Sequence, residues 1–398
     1  MLRNLWLFVL LCVVVTSAEG QFVHAKGKLI MDASGKELHL HGTNLGNWMV
    51  PEGYMFRFDG GPQSPREIEA LVNDLLGPSQ AAEFWQQYRA NYVTQRDIAA
   101  LGRAGVNVLR VPLHYKFFVE GDDEGFRLVD RLSEWAKHAG IYLILDMHCA
   151  PGGQTGTNID DSWGYPWLYE SESEQQQTVK IWRRIAAHYR DNPTVLGYDL
   201  LNEPIPHFPQ LQRLNPYLEP LYKRLTAAVR EVDGNHMVIF GGAQWDSNFK
   251  VFGAPFDTNS MYTFHKYWTP PTQNVIQEYL DFRDKYDVPI YMGESGENTD
   301  EWISSFRMVL DKNDIAWTFW PYKKMEAPSA VMSFDKPIYW DEVVAYAKLS
   351  RRSGEAEKSV AARPSREHIQ AAFADILQKI QLDECHRNAG YMAALGLK

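Results

Sequence analysis

The chain has 398 residues, of which 45% are hydrophobic and 23% charged, with a formal net charge of −10. That length holds either two average domains or one large barrel with additions, and the composition is that of an ordinary folded protein. The mildly acidic balance excludes nucleic acid as the expected partner, because a phosphate backbone demands clustered Lys and Arg.

At the N-terminus, Met1, Arg3, an apolar run from Leu5 to Val15 and the small residues Thr16, Ser17 and Ala18 have the layout of a secretory signal peptide. The run is too short for a comfortable membrane span. Residues 1–20 are therefore expected to be a signal peptide and the mature chain to be secreted (extracellular or periplasmic), free of the membrane after cleavage; an uncleaved anchor is the alternative. The mature chain would keep Cys149 and Cys385, which is no disulfide framework, and their spacing leaves their pairing open.

A hairpin-like lead (28–31, then 37–40) precedes apolar runs that alternate with amphipathic helical stretches to about Ser350. The strand-like runs are 42–48, 107–113, 142–148, 195–203, 236–242, 261–267, 289–294 and 316–322. Helices are expected at 81–103, 126–138, 173–190, 218–231, 272–286, 300–310 and 341–349, with little helix between the fifth and sixth strands. Gly105 and Gly140 follow two of these helices and Asp191-Asn192-Pro193 closes a third, as helix ends require. Eight strand-helix repeats predict an α/β fold, a (β/α)8 TIM barrel whose strands are buried on both faces. The rival, a doubly wound open sheet, would place a glycine-rich phosphate loop after a strand, and none occurs.

Beyond Ser350 the sequence turns charged and small (Arg351, Arg352, Ser353, Gly354), then Pro364-Ser365 opens a helix. Its apolar positions Ile369, Ala372, Phe373, Ile376, Leu377 and Ile380 follow the 3.6-residue period, so one face must be covered, by the barrel or by a partner. The plan is a signal peptide (1–20), a barrel (21–350), and a linker with a C-terminal amphipathic helix (351–398). A monomer is expected.

Barrels of this class keep their active sites at the C-terminal ends of the strands. Those ends carry Trp48, Arg110, His114, His148, Asn202, Glu203, Trp245, His265, Tyr267, Glu294 and Trp320. Glu203, in Leu-Leu-Asn-Glu-Pro, and Glu294, in Ile-Tyr-Met-Gly-Glu-Ser, stand where two different strands stop. Two such carboxyls are what glycosidic cleavage requires, one to protonate the leaving oxygen and one to attack carbon or activate water.

With Arg110 in Asn-Val-Leu-Arg-Val-Pro, His148 in Ile-Leu-Asp-Met-His, Asn202 beside Glu203, His265 and Tyr267 in Thr-Phe-His-Lys-Tyr, and Trp320 in Trp-Thr-Phe-Trp, the chain resembles glycoside hydrolase family 5 from about Gly42 to about Ser350. The resemblance implies a retaining mechanism, with Glu203 as general acid and then base and Glu294 as nucleophile oriented by Arg110 and Tyr267. It implies that Asn202 bonds the sugar 2-hydroxyl, that His148 and His265 bind hydroxyls or tune the carboxylates, and that Trp320 floors the site. Packing and ion pairing are the alternatives for the aromatic residues and for Arg110. No cofactor is expected, and no third ligand spacing supports a metal.

The loop after the third strand, 149–167, opens Cys149-Ala-Pro-Gly-Gly, carries no lysine for phosphate and is similar to the Ala-Pro-Gly stretch of the exo-β-1,3-glucanase branch. It makes Gln154, Asn158, Asp161, Trp163 and Tyr165 subsite candidates, with Trp245 and Trp268 as stacking candidates nearby. Lys323 is expected at the sugar-binding rim, and Glu297 in a loop outside the site. The family resemblance implies a cellulase-like endo-β-1,4-glucanase acting on a glucan-type polysaccharide or oligosaccharide. The alternatives are an exo-β-1,3-glucanase or β-mannanase of the same family, a metal-dependent hydrolase, and a non-catalytic carbohydrate-binding barrel.

Overall fold

The computed structural model describes residues 22–349 and 356–398; the expected leader and linker residues 350–355 lie outside them. The strands β1 (His41–Asn44), β2 (Val108–His114), β3 (Tyr142–Cys149), β4 (Val195–Asp199), β5 (Met237–Gly241), β6 (Ser260–His265), β7 (Ile290–Glu294) and β8 (Ala316–Phe319) follow the eight expected runs. All pair in parallel and close on themselves, β8 beside β1, as a (β/α)8 TIM barrel. No helix among the described residues is long and apolar enough to cross a membrane.

Two local features depart from the sequence reading. The helix expected at 81–103 is two, α2 (Pro78–Tyr92) and α3 (Gln95–Ala104), preceded by an unexpected α1 (Pro65–Leu76). Apolar spacing runs unbroken through Tyr92-Val93, but Val93 is extended and Thr94 caps α3, its side chain accepting from Asp97 N while Asp97 accepts from Thr94 N. β4 ends at Asp199 rather than at 203, because Glu203 and Ile205 adopt left-handed backbone, with φ of 47° and 54°.

Side-chain alternation explains where the site lies. Residues two apart along a strand share a face. At the starts of the strands the inward residues are apolar, with Val108, Ile144, Met237, Ile239 and Met261 in one buried cluster. Two residues further on, the same faces carry Arg110, Asp146 and Thr263, and then His148 and His265, all buried. The barrel is thus plugged at one end and polar at the other.

The amphipathic C-terminal helix, α4 (Arg366–Lys379), docks back on the barrel's own helices. Phe373 packs edge-on against Phe84 of α2 at 5.0 Å and against Trp340 at 5.8 Å. After it, residues His386–Arg387 pair with Met332–Phe334, which in turn pair with Lys323–Met325 just past β8. A last helix, α5 (Ala389–Ala394), places the Tyr391 hydroxyl to donate to the Trp320 carbonyl at 3.0 Å.

Lys323 is not at the rim. It is fully buried, donating to the carbonyls of Tyr92 (2.8 Å) and Ile380 (2.9 Å) and pairing with Asp97 at 2.6 Å. Its ammonium ties α2, α3 and the C-terminal segment together. Lys323→Met leaves Asp97 buried without its cation and should cost about 3–5 kcal/mol, read as a lower urea midpoint; an unchanged midpoint would remove this role.

Candidate active site

Glu203 sits on the left-handed turn that ends the β4 run, its backbone N–H donating to Asp246 Oδ2 at 3.0 Å and its carbonyl accepting from Thr155 at 2.9 Å. Its Oε1 lies 3.0 Å from Nδ1 of His265, at the end of β6. Burial raises the Glu203 pKa above the ordinary glutamate range, against the opposing pull of His148, Arg110 and His207. The carboxyl therefore keeps its proton to higher pH than a free glutamate would.

Glu294, the last residue of β7, is held by cations and donors. Arg110 Nη1 contacts its Oε1 and the Tyr267 hydroxyl donates to Oε2 at 3.1 Å. Arg110 is itself fully buried, 2.9 Å from Asp199, 3.0 Å from Asp146 and 2.9 Å from Asn202 Oδ1. Burial pushes Asp146 and Asp199 up to about 7, with Arg110 holding each down. Asp146 is bonded at 2.7 Å to Nδ1 of His148, whose pKa burial lowers to about 4. Burial likewise lowers His265 to about 3, so both imidazoles are neutral at neutral pH.

A cavity of about 840 Å³ opens above these groups. His148, Asn202, Glu203, Trp245, His265, Tyr267, Trp268, Glu294 and Trp320, all singled out from the sequence, line it together with Asn158. Trp320 stacks on His148 with ring centroids 5.7 Å apart and planes 8° apart, and its Nε1 donates to Tyr54 at 2.7 Å. Gly46 admits this ring: a Cβ there would lie 2.5 Å from it.

Other candidates lie elsewhere. Arg110, grouped with the sugar-contacting residues, is beneath the cavity and reaches it only through Glu294 and Asn202. Trp163, 83% exposed, stacks on the Arg66 guanidinium at 3.7 Å outside the cavity wall. Tyr165 bonds Glu170, and Asp161 is taken by His114 and Arg66. Gln154, fully buried, donates to the carbonyls of His148 (2.8 Å) and Asn202 (2.9 Å), bracing the site's backbone rather than facing it. Trp48 is core, its Nε1 on the Arg89 carbonyl.

Sequence comparison matches residues 74–326, well over half of the chain, to the family model described as cellulase (glycosyl hydrolase family 5). The chain belongs to glycosyl hydrolase family 5. Within it, the chain is 31% identical over 264 residues to a β-xylosidase of Phanerodontia chrysosporium, covering 62% of this chain but only about half (52%) of that relative. It is 27% identical over 313 residues to a probable glucan 1,3-β-glucosidase A of Aspergillus fumigatus, covering 73% of each. In fold it is similar to the crystal structure of rutinosidase from Aspergillus niger, with a TM-score of 0.59 at 19% identity over 72% of this chain and 90% of that one.

For a family 5 chain, the sequence reading missed several residues of this site. Glu297, set aside as a loop carboxylate, lines the cavity and pairs with Lys324 at 2.5 Å, while Lys324 lies over the Tyr54 ring at 4.3 Å. Glu52 and Tyr54 also line it, and burial, then Glu294, raises Glu52 well above the ordinary range. Both precede any helix signal, in the loop after β1. Asp146 was legible two residues before His148 on the same strand face; Asp246, in a left-handed turn, had no such periodic signal.

Glu203, His265 and Glu294 present ligand-type atoms within 4.8 Å of one another, spacing that could also hold a metal ion. The donor set argues otherwise: Arg110 and Tyr267 already occupy both oxygens of Glu294, and a guanidinium at that distance repels a cation.

Proposed function

We propose that this chain is a retaining β-glycosidase of glucan-type chains that works by double displacement. The supporting observation is the proximity of the Glu203 and Glu294 carboxyl oxygens, within 4.8 Å. Retaining enzymes hold their carboxyls about 5–5.5 Å apart and inverting ones about 6.5–9.5 Å, the wider gap admitting a water.

In the first step Glu294 forms a bond to the anomeric carbon while Glu203 gives its proton to the departing glycosidic oxygen. In the second, Glu203 takes a proton from a water whose oxygen displaces Glu294 from that carbon. Asn202, bonded to Arg110, offers its Nδ2 to the sugar 2-hydroxyl, and Trp320 floors the ring.

Glu203→Gln should lower kcat/KM on a natural glycan by about 10²–10⁴-fold, and far less on aryl glycosides whose good leaving groups need no proton. Equal loss on both counts against the acid role. The raised Glu203 pKa sets the sign of the pH profile: activity holds as pH rises past the ordinary glutamate range and falls only when Glu203 ionises, and in Glu203→Gln this alkaline limb disappears.

For the linkage, the family model's description as a cellulase supports a β-1,4-glucan first, and a relative described as an endoglucanase supports endo action. A β-1,3-glucan is the second reading, favoured by the Ala150-Pro151-Gly152 loop, whose Asn158 reaches the cavity wall, and by the glucosidase relative. Product sizes from carboxymethyl cellulose, laminarin and mannan separate these readings. The leader-like run from Leu5 to Val15 supports export, and the covered face of α4 supports a monomer.

A further inference from the structure

Two left-handed turns dock against each other beneath Glu203. The first holds Glu203 and Ile205; the second holds three successive residues with Cβ atoms, Gln244, Trp245 and Asp246, with φ of 53°, 55° and 57°. Such backbone is unfavourable for residues other than glycine, and it persists where surroundings impose it, often at functional sites. Here Trp245 N donates to Ile205 O at 3.2 Å and Glu203 N donates to Asp246 Oδ2. The second turn sends Trp245 into the cavity wall and buries Asp246 completely below it. Gly241 makes room for that carboxyl, since a Cβ there would fall 1.8 Å from Asp246 Oδ1.

The same Oδ2 that accepts the Glu203 N–H lies 3.3 Å from the buried Nε2 of His265, a close polar contact that falls short of hydrogen-bond geometry, while Nδ1 of that ring faces Glu203 Oε1 at 3.0 Å. An oxygen already receiving one N–H is best met by a second donor, which puts the single proton of the neutral ring on Nε2. Nδ1 is then a lone pair. The only complementary form of Glu203 is the one carrying the acid proton.

We infer that Asp246 is the positioning residue of the acid/base: it fixes His265 as the Nε2–H tautomer, so that Nδ1 accepts from the Glu203 carboxylic acid and keeps that carboxyl protonated until the leaving oxygen takes its proton. This rests on the reading of Glu203 as the general acid. The other charged or titratable groups facing this chain are Glu52 from the loop after β1, Arg110 from β2, Asp146 and His148 from β3, Asp199 from β4, Tyr267 past β6, Glu294 from β7, His207 from the loop after Glu203, and the phenols of Tyr169, Tyr222 and Tyr279 around Asp246. All are kept in the variants below.

The test combines the ring state with the pH profile in the full chain. ¹⁵N NMR of histidine-labelled protein without substrate should show His265 as Nε2–H in the wild type and in Asp246→Asn, which keeps a carbonyl oxygen at that place. Asp246→Ala frees the ring to turn Nδ1–H toward Glu203, which favours the ionised carboxylate. Its alkaline limb should then move to lower pH by about half a unit or more. Activity on poor leaving groups should fall about 10–100-fold with good leaving groups much less affected, and Asp246→Asn should recover most of the loss. An Nδ1–H ring in the wild type overturns the inference, as does an alanine variant that loses activity equally on all leaving groups with its limb unmoved. Should that variant not fold, the wild-type and asparagine spectra still decide. Because the tautomer is read without turnover, it is independent of the acid role, which Glu203→Gln tests alone.

Discussion

Glu294→Gln is expected to abolish turnover, lowering kcat by about 10⁴-fold or more, because an amide cannot form the glycosyl ester that the second step hydrolyses. The fold should survive. Arg110 faces three carboxylates, Asp146, Asp199 and Glu294, so neutralising one leaves the buried cation still paired. A fluorosugar that traps the intermediate should label the wild type on the peptide containing Glu294 and leave Glu294→Gln unlabelled. Label on any other residue, in either protein, would sink the nucleophile assignment.

Arg110→Met should do the opposite, damaging stability and activity together. Removing one partner of a buried ionic cluster costs about 3–5 kcal/mol, since the remaining charges stay out of water. Burial already holds Asp146 and Asp199 up at about 7, and Arg110 is the cation restraining both. A carboxyl raised in the folded state loses stabilisation as pH rises from its unfolded value near 4 through its folded one. Without Arg110 both climb further, so the variant's stability deficit should be larger at pH 8 than at pH 5. Thermal unfolding at the two values checks this; a deficit that does not grow with pH would mean the cluster is not held by charge.

Much of this arrangement was legible before any coordinates, and the reason is periodicity. Eight apolar runs bounded by helix-end glycines and prolines favoured a barrel over a doubly wound sheet, and the fold rule for barrels then named the strand ends. Glu203, Glu294, His148, His265 and Trp320 were found that way. What was not legible sits on irregular backbone. Glu52 and Tyr54 follow β1 in a loop without pattern, Asp246 stands in a left-handed turn, and Glu297 has a φ of 51°. The Glu297–Lys324 pair joins two loops that no local rule relates. Trp163 shows the converse: an aromatic in a glycine-rich loop suggests a sugar platform, yet its nearest partner is a guanidinium on α1.

The pairing of His386–Arg387 with Met332–Phe334, and the bond from Tyr391 to the carbonyl of Trp320, set a time order on synthesis. A chain emerging from the ribosome can collapse its eight strands once residue 319 is out, and Trp320 then already has His148 and Tyr54, but the loop that carries it gains its last support, Tyr391, only some seventy residues later, at about 5–20 residues per second. On that rate the barrel should close several seconds before the strand pairing and the Tyr391 bond complete the backing of this loop.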